Sequence, residues 1–462
     1  MHIRAGSALP WLLPSFTAIF LASGAARADV DAAGEQCTEP SRSAGVPTYC
    51  ADSRGAEAPF GDDVRSVRLL RSTTVRSEPS AQAAPLGTIA QDVRTEWTGA
   101  ALGPGCRRWI SIVPRGWVCE DVLEGNWRAP RTFELPRVAE GALVPGTYGS
   151  VVGKRTRAYR RGDDGWRSRQ VNGAVTVDRR AITRIGKRLF WKTSNHEWIR
   201  ASAIRMHQPS PFGGYELDVD AGDVLVFVVS RRRPAAPVQV RSEPRSNARV
   251  VARLDARTLL SVLEERDGWL RVGERQWLPS QDARRVRTAA PPSGTGCDER
   301  WIDVDLDEQV LVAYEGTRPV YTTLVSSGRE GSPTPVGLFR IWVKFAEVDM
   351  KGAKYGKRYS VARVPWTMFF LGDFALHCAY WHDRFGAPAS HGCVNLSPQD
   401  ARFLYFWSSP SVPLGWTMAF ASHDDPGSLV RVRRRPRPDE SPAPQAAICV
   451  ADAATLPSAC AN

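Results

Sequence analysis

Phe374-Ala375-Leu376-His377-Cys378-Ala379-Tyr380-Trp381-His382, followed by Ser390-His391-Gly392-Cys393-Val394-Asn395, is the stretch on which the reading of this chain turns. Alternation along Ala375–Ala379 has the period of a β-strand and sends His377 and Cys378 to opposite faces. Gly392 allows close backbone approach just before a second cysteine. Ser397-Pro398-Gln399-Asp400 reads as a helix start, with Ser397 as cap, Pro398 first and Asp400 third. Ala401, Leu404 and Tyr405 continue that helix as one apolar stripe. Cys393 therefore sits in a turn between a strand and a helix N-terminus. The chain has seven His, and three of them fall between His377 and Cys393. That density marks a chemical site rather than ordinary surface.

The chemistry such a site supports is nucleophilic acyl transfer. A thiolate attacks a carbonyl, and a nearby imidazole takes the thiol proton and returns it to the leaving amine. A free thiol is mostly protonated at neutral pH, and an adjacent His lowers its pKa. Consecutive N–H groups around Gly392 are candidates to hold the tetrahedral oxyanion. Strand alternation puts His377 and His382, five apart, on opposite faces. Both then cannot easily address one thiol, and Tyr380, Trp381 and His382 are candidates for the pocket wall.

These residues resemble the signature of the L,D-transpeptidase (YkuD-type) catalytic domain: a His, a spacer, then Ser/Thr-His-Gly-Cys-hydrophobic-Asn/Arg. Thr334-Pro335-Val336-Gly337-Leu338-Phe339 resembles the upstream strand of the same family. The spacer Cys378–Ala389 is slightly short for it. The resemblance spans about Trp301 to Ala421. It implies a β-rich, sandwich-like domain with short helices, Cys393 as nucleophile and His377 as proton donor and acceptor. It further implies that Ser390, His391, Gly392 and Asn395 shape the pocket and oxyanion hole, and that residues 346–364 form a mobile flap. The implied substrate is a wall tetrapeptide cut after the L-centre of its diamino acid. The acyl acceptor is another peptidoglycan stem peptide, a D-amino acid, a wall-anchored protein or water. No cofactor and no metal is implied.

The rest of the domain alternates as strands: Trp301–Leu306, Val310–Tyr314, Tyr321–Ser326, Phe339–Val343 and Trp366–Phe370. Upstream, Val75-Arg76-Ser77-Glu78-Pro79 recurs as Val240-Arg241-Ser242-Glu243-Pro244, and each copy ends in a Trp hairpin. These units resemble bacterial SH3-like domains. The expected order is a signal peptide (1–28), a linker (29–62), an SH3-like domain (63–126), a degenerate copy (140–210), an SH3-like domain (222–287), a linker (288–298), the catalytic domain (299–422) and a basic Pro-rich tail (423–462). The fold class expected is mainly β.

His2 and Arg4, the apolar run Leu9–Leu21 and Ala26-Arg27-Ala28 read as a secretory signal cleaved before Asp29. The run is too short to span a membrane comfortably, so the product is expected to be exported, to the periplasm or cell wall, with no stable membrane insertion. The formal net charge of +12 favours anionic wall polymers as neighbours. Export, and the lack of a nucleic-acid signature, argue against nucleic acid.

Nine Cys in an oxidising compartment suggest four bridges and one free thiol. Three pairs are close in sequence: Cys37–Cys50, Cys106–Cys119 and Cys449–Cys460. Cys297–Cys378 completes the arithmetic and agrees with the outward facing of Cys378, although a second reactive thiol at Cys378 stays open. Two other functions compete. One is a zinc protein using His377, His382, His391, Cys378 and Cys393, whose spacing fits zinc poorly. The other is a wall-binding scaffold built on the SH3-like units, against which an intact His377 and Cys393 argue.

Overall fold

The computed structural model describes residues 60, 61, 63–153, 155–171, 174–218, 224–231, 236–354 and 357–435. The signal segment, most of the first linker and the pairs Cys37–Cys50 and Cys449–Cys460 lie outside them. Strands dominate, with a single α-helix among the described residues.

One pairing scheme occurs three times before the catalytic region. In the first unit Ser66–Leu69 pairs with Arg94–Thr95 and with Leu123–Asn126, and Thr73–Arg76 pairs with Pro85–Ile89 and Trp117–Cys119. The third unit repeats this with Leu225–Val228 and Val238–Arg241 as the branching strands. The middle unit repeats it with Thr147–Val151 and Arg157–Gly162. The Val-Arg-Ser-Glu-Pro repeat has a physical meaning here. Val75 and Val240 are fully buried. The strand register shifts at the following Arg in both copies. Arg76 donates to the Ala83 carbonyl at 2.9 Å and Arg241 to the Ala248 carbonyl at 2.7 Å, which ties the turn back to the bulge. Cys106–Cys119 forms a disulfide across the first barrel's Trp hairpin.

In the catalytic region the strands are β1 (Arg300–Asp305), β2 (Val310–Glu315), β3 (Arg318–Leu324), β4 (Gly337–Arg340), β5 (Val343–Lys354), β6 (Lys357–Leu371), β7 (Phe374–Cys378), β8 (Val394–Leu396), β9 (Trp416–Phe420) and β10 (Leu429–Arg433), with α1 at Pro398–Trp407. One sheet runs Tyr215–Glu216, β3, β2, β1, β10, β4. Its inner face packs Ile302, Val304, Leu311 and Ala313 against Trp366 and Met368 of β6, Leu376 of β7, Val394 and Leu396 of β8, and Leu404 and Tyr405 of α1.

Two expectations are corrected here. Residues 429–433 are not part of a loose tail. β10 is a buried strand, parallel to β1 and antiparallel to β4. The cause is charge matched to alternation: Asp303 and Asp305 are buried on β1, and Arg431 and Arg433 reach them at 2.6–2.8 Å. Cys297 and Cys378 do not pair either. Cys378 is a free thiol at the core, whereas Cys297 is disulfide-bonded. The partner of Cys297 is then neither Cys378 nor any other described cysteine.

The barrels are sewn into the catalytic sheets. Pro85–Ile89 of the first barrel pairs with β9, which pairs with β5. Ala174–Thr176 of the middle barrel runs parallel to Tyr359–Val361 of β6. The third barrel docks by a doubly buried strand. Val226 and Val228 fill its own core, while Leu225 and Phe227 pack with Trp301 and Tyr314 of the catalytic region.

Candidate active site

β7 and β8 are parallel neighbours, with His377 opposite Asn395. Leu376, Cys378, Val394 and Leu396 all face the core. His377 and Asn395 therefore point to the other face, and Cys393 lies in the loop two residues before Asn395. This takes Cys378 off the face that carries His377. The five-residue zinc set is broken by the same alternation.

His377 is buried, and its Nδ1 lies 3.1 Å from the Cys378 carbonyl. A carbonyl only accepts, so Nδ1 carries the proton and Nε2 is left as a proton acceptor. Burial lowers its pKa to about 4, partly offset by that bond. The ring is thus neutral at neutral pH. Trp381 lies 5.7 Å away, centroid to centroid, as wall.

Cys393 is half-buried, and its thiol donates to the Asp373 carbonyl at 3.6 Å. The loop that holds it is locked by its own side chains. Ser390 Oγ accepts from Gly392 N–H at 3.0 Å and donates to the Cys393 carbonyl at 2.5 Å. Thr334 Oγ1 accepts from Gly328 N–H at 2.9 Å and donates to the Gly392 carbonyl at 2.8 Å. Gly392 has φ +128°, and a Cβ there would stand 2.6 Å from the Phe374 ring, so no other residue fits. Ser390 is thereby a positioning residue. The Gly392 N–H, already bonded to Ser390, is not an oxyanion donor in this conformation.

His391 Nε2 accepts from Arg329 at 2.7 Å, and its ring stacks on Tyr359 at 5.4 Å. An imidazole nitrogen so engaged is architectural. Tyr359 is also close enough to Cys393 for the thiol's charge to raise the phenol's pKa, after burial. Tyr359 of the β5–β6 hairpin accordingly lies near the site. Its strand β6 pairs with the middle barrel at Tyr359–Val361.

His382 is the clearest correction from the sequence. β7 ends at Cys378 and the chain turns, so alternation does not extend five residues. His382 returns to the His377 face, close enough that a proton on either would repel one on the other. Arg384 N–H donates to its Nδ1 at 3.1 Å, and the Asn395 carboxamide meets its Nε2 at 2.7 Å. The Asn395 atom that stands there is the amide nitrogen Nδ2, so its NH₂ is turned to His382. Burial lowers His382 to about 4 as well. Tyr380 is not pocket wall. Its hydroxyl donates to the Ala362 carbonyl at 2.6 Å and its ring stacks on Tyr148 of the middle barrel.

Sequence reasoning missed Arg329, Tyr359, Asp373 and the clasp at Thr334. The Thr334-Pro335 motif was a usable signal for the last. α1 starts as its cap sequence requires, with Ser397 Oγ accepting from Asp400 N–H. Asp400, fully buried, accepts from Tyr321, Thr323, Ser397 and Gly214 N–H at 2.6–2.7 Å, which fixes the helix behind the cysteine loop.

Residues 299–431 match the L,D-transpeptidase catalytic domain, and residues 236–288 match the bacterial SH3 domain. The match to the transpeptidase family is confined to that segment of the chain. A Bacillus subtilis protein named as an L,D-transpeptidase, YciB, is 31% identical over 124 residues. That alignment covers 23% of this chain and 59% of YciB. Solved structures similar to the domain include an L,D-transpeptidase of Enterococcus faecium, at 25% identity and TM-score 0.24 over 29% of this chain and 50% of that one. Another is the L,D-transpeptidase of Stackebrandtia nassauensis, at 27% identity and TM-score 0.22 over 31% and 59%. The matched segment follows 298 upstream residues, about three-fifths of which lie in the three barrels.

Proposed function

We propose that this chain is an exported peptidoglycan L,D-transpeptidase. What supports the reading is the parallel pairing of β7 and β8, which puts His377 opposite Asn395, two residues after Cys393, with the proton of His377 on Nδ1 and Nε2 left to accept. In the first step His377 Nε2 takes the Cys393 proton. The thiolate adds to the carbonyl of the diamino acid–D-Ala bond of a wall tetrapeptide. The C–N bond breaks, D-Ala leaves with the proton returned by His377, and a thioester remains. In the second step an acceptor amine or water attacks the thioester, loses a proton to His377 and releases the thiolate. The acceptor is a second stem, a D-amino acid, a wall-anchored protein or water. Burial makes the free imidazole a weak base, and the charge of the forming thiolate raises its affinity for the proton. Export is supported by the N-terminal signal pattern.

The test is mass spectrometry of disaccharide-tetrapeptide incubated with the mature protein. D-Ala release and a thioester mass on Cys393 are expected, and both should vanish in Cys393→Ala. His377→Ala should slow acylation by about two to four orders of magnitude. Normal turnover in Cys393→Ala that melts like wild type would sink the assignment. His382→Gln should act less than His377→Ala, through Asn395; the reverse order would exchange their roles.

A further inference from the structure

The loop that leaves β7 carries His382, and the third barrel reaches into it with one side chain. Arg257 lies between the strands Val250–Leu254 and Leu259–Ser261. Its backbone is left-handed, φ +74°, where a residue with a Cβ is rarely found. That conformation is pinned from both sides. The Arg257 N–H donates to the Val228 carbonyl at 2.6 Å, and its carbonyl accepts from the Tyr215 hydroxyl at 3.2 Å. The residue is 8% exposed, and its guanidinium lies over the Phe212 ring at 5.2 Å and the Phe385 ring at 6.0 Å. A strained backbone under a buried cation is costly to hold, and such strain gathers where it fixes a geometry that the site needs.

What Arg257 holds is Asp383. Its Nη2 donates to the Asp383 carbonyl at 2.8 Å and stands 2.8 Å from the carboxylate Oδ1. That Oδ1 and the Arg257 Nε are both buried and make no hydrogen bond among the described residues, so charge keeps the carboxylate in place. Arg284 of the same barrel takes the loop three residues later, donating to the Gly386 carbonyl at 3.1 Å. Asp383 is the residue between His382 and the Arg384 N–H that donates to the His382 Nδ1. Its backbone torsions therefore set that bond. The other ring nitrogen, Nε2, is 2.7 Å from the Asn395 carboxamide, and Asn395 stands opposite His377. The contacts thus run from the third barrel to the strand beside His377.

We propose that Arg257 is a positioning residue for the transfer reaction: by fixing Asp383 it sets the His382 ring against Asn395, and with it the pocket wall beside His377. The kinetic consequence rests on the transpeptidase reading. Apolar contacts of the barrel seam are non-directional and seat the barrel without orienting Asp383. A guanidinium that donates to a carbonyl and faces a carboxylate is directional. Without it the buried Oδ1 has no counter-charge, so Asp383 turns toward water and carries the Arg384 N–H away from His382.

The experiment uses the full mature chain with nitrogen-15 in its histidine rings. Ring nitrogen shifts report the protonation and bonding of each ring, and His382→Gln identifies the His382 signals by their loss. Arg257→Met keeps the stem and removes the donors. It should move the His382 signals and leave those of the exposed His196 in place. It should also lower kcat for the tetrapeptide about tenfold, with KM within about twofold, as expected for a misplaced group outside the substrate contacts. Arg257→Lys keeps the charge and should recover part of both effects. Asp383→Asn should reproduce them in weaker form, and combining it with Arg257→Met should cost less than the product of the two, because both break one contact. Unchanged His382 signals and kcat in Arg257→Met, with only the melting temperature lowered, would make Arg257 a mere staple between barrel and domain and overturn the proposal. If Arg257→Met does not fold, Asp383→Asn decides alone: unchanged signals and kcat there overturn it equally. A wild type that releases no D-Ala counts against the catalytic reading, while the ring signals still decide this one.

Discussion

The middle and third barrels share one strand-pairing scheme but hold the catalytic domain by different physics. The third docks through an apolar seam of Leu225 and Phe227 against Trp301 and Tyr314, with Phe212 and Phe385 closing it. Arg257 crosses that seam to the Asp383 carboxylate at 2.8 Å and the Asp383 carbonyl at 2.8 Å, under the loop that carries His382. The middle barrel docks along a strand edge, with the Tyr148–Tyr380 stack and an ion-pair cluster of Arg363, Glu347 and Asp178. An apolar seam resists sliding, because every displacement exposes carbon to water. A strand edge with exchangeable ion pairs is the softer joint. The contrast suggests that the third barrel sets the stability of the catalytic domain and the middle barrel sets the position of the hairpin beside the thiol.

The largest effect that tests this contrast is Phe227→Ala. Truncating a fully buried aromatic in a core-like seam should cost about 3–5 kcal/mol. Equilibrium denaturation should show that loss, with turnover per folded molecule near wild type. A loss below about 1 kcal/mol would mean that the seam is not continuous with the core.

What sequence shows of the two joints is a matter of period and separation, and neither joint was read from it. Leu225–Val228 is a run of four apolar residues, and such a run signals burial on both faces. The alternation of Trp301–Asp305, the cap at Ser397 and the thiol–imidazole spacing were equally local, so the catalytic core and its two main residues could be read directly. The middle barrel lacks the Val-Arg-Ser-Glu-Pro signature, and its second strand, Arg157–Gly162, looks like polar surface. Its pairing with Tyr359–Val361 depends on a partner nearly two hundred residues away. The same applies to β10, whose alternation was masked by Arg-rich composition until Asp303 and Asp305 supplied partners. His382 was misplaced because no sequence rule says where alternation stops.

A second effect, somewhat smaller, comes from pH. His382 borders the third-barrel seam, 5.3 Å from the Phe385 ring, and burial lowers it to about 4. An unfolded His binds a proton near 6.5, so between about pH 6.5 and 4 the unfolded chain is more protonated than the folded one. Stability is then highest above the unfolded value and falls as pH drops through this window. His382 and His377 should each account for about 3 kcal/mol of that loss. His207, bonded to Ser150 on the middle-barrel side at 2.9 Å and also lowered to about 4, adds a smaller share because it is less enclosed. Denaturation at pH 7 and pH 4 measures the slope. His382→Gln should flatten it by nearly one proton, and an unchanged slope would remove His382 from the account.

The smallest stability effect should fall on the middle-barrel joint, where it carries a local signature. Arg363 occupies a left-handed backbone conformation, φ +46°, and its N–H donates to Asp349 at 2.9 Å. Its guanidinium joins Glu347 and approaches Asp178 of the middle barrel at 3.9 Å. Burial already raises the Glu347 pKa, and Arg363 opposes that rise. Arg363→Met keeps the aliphatic stem and removes the charge, so Glu347 can protonate rather than stay buried and ionised. Global stability should then drop by about 1 kcal/mol. The sharper readout is amide exchange along Tyr359–Val361, where the middle barrel's strand pairs with β6. Those amides should exchange markedly faster in Arg363→Met, while those of Leu225–Val228 stay protected. KM for the stem peptide should rise more than kcat falls, because the hairpin that brings Tyr359 near the thiol is displaced while His377 and Cys393 are untouched. Equal exchange at both seams would show one rigid unit, and the division of labour between the barrels would have to be abandoned.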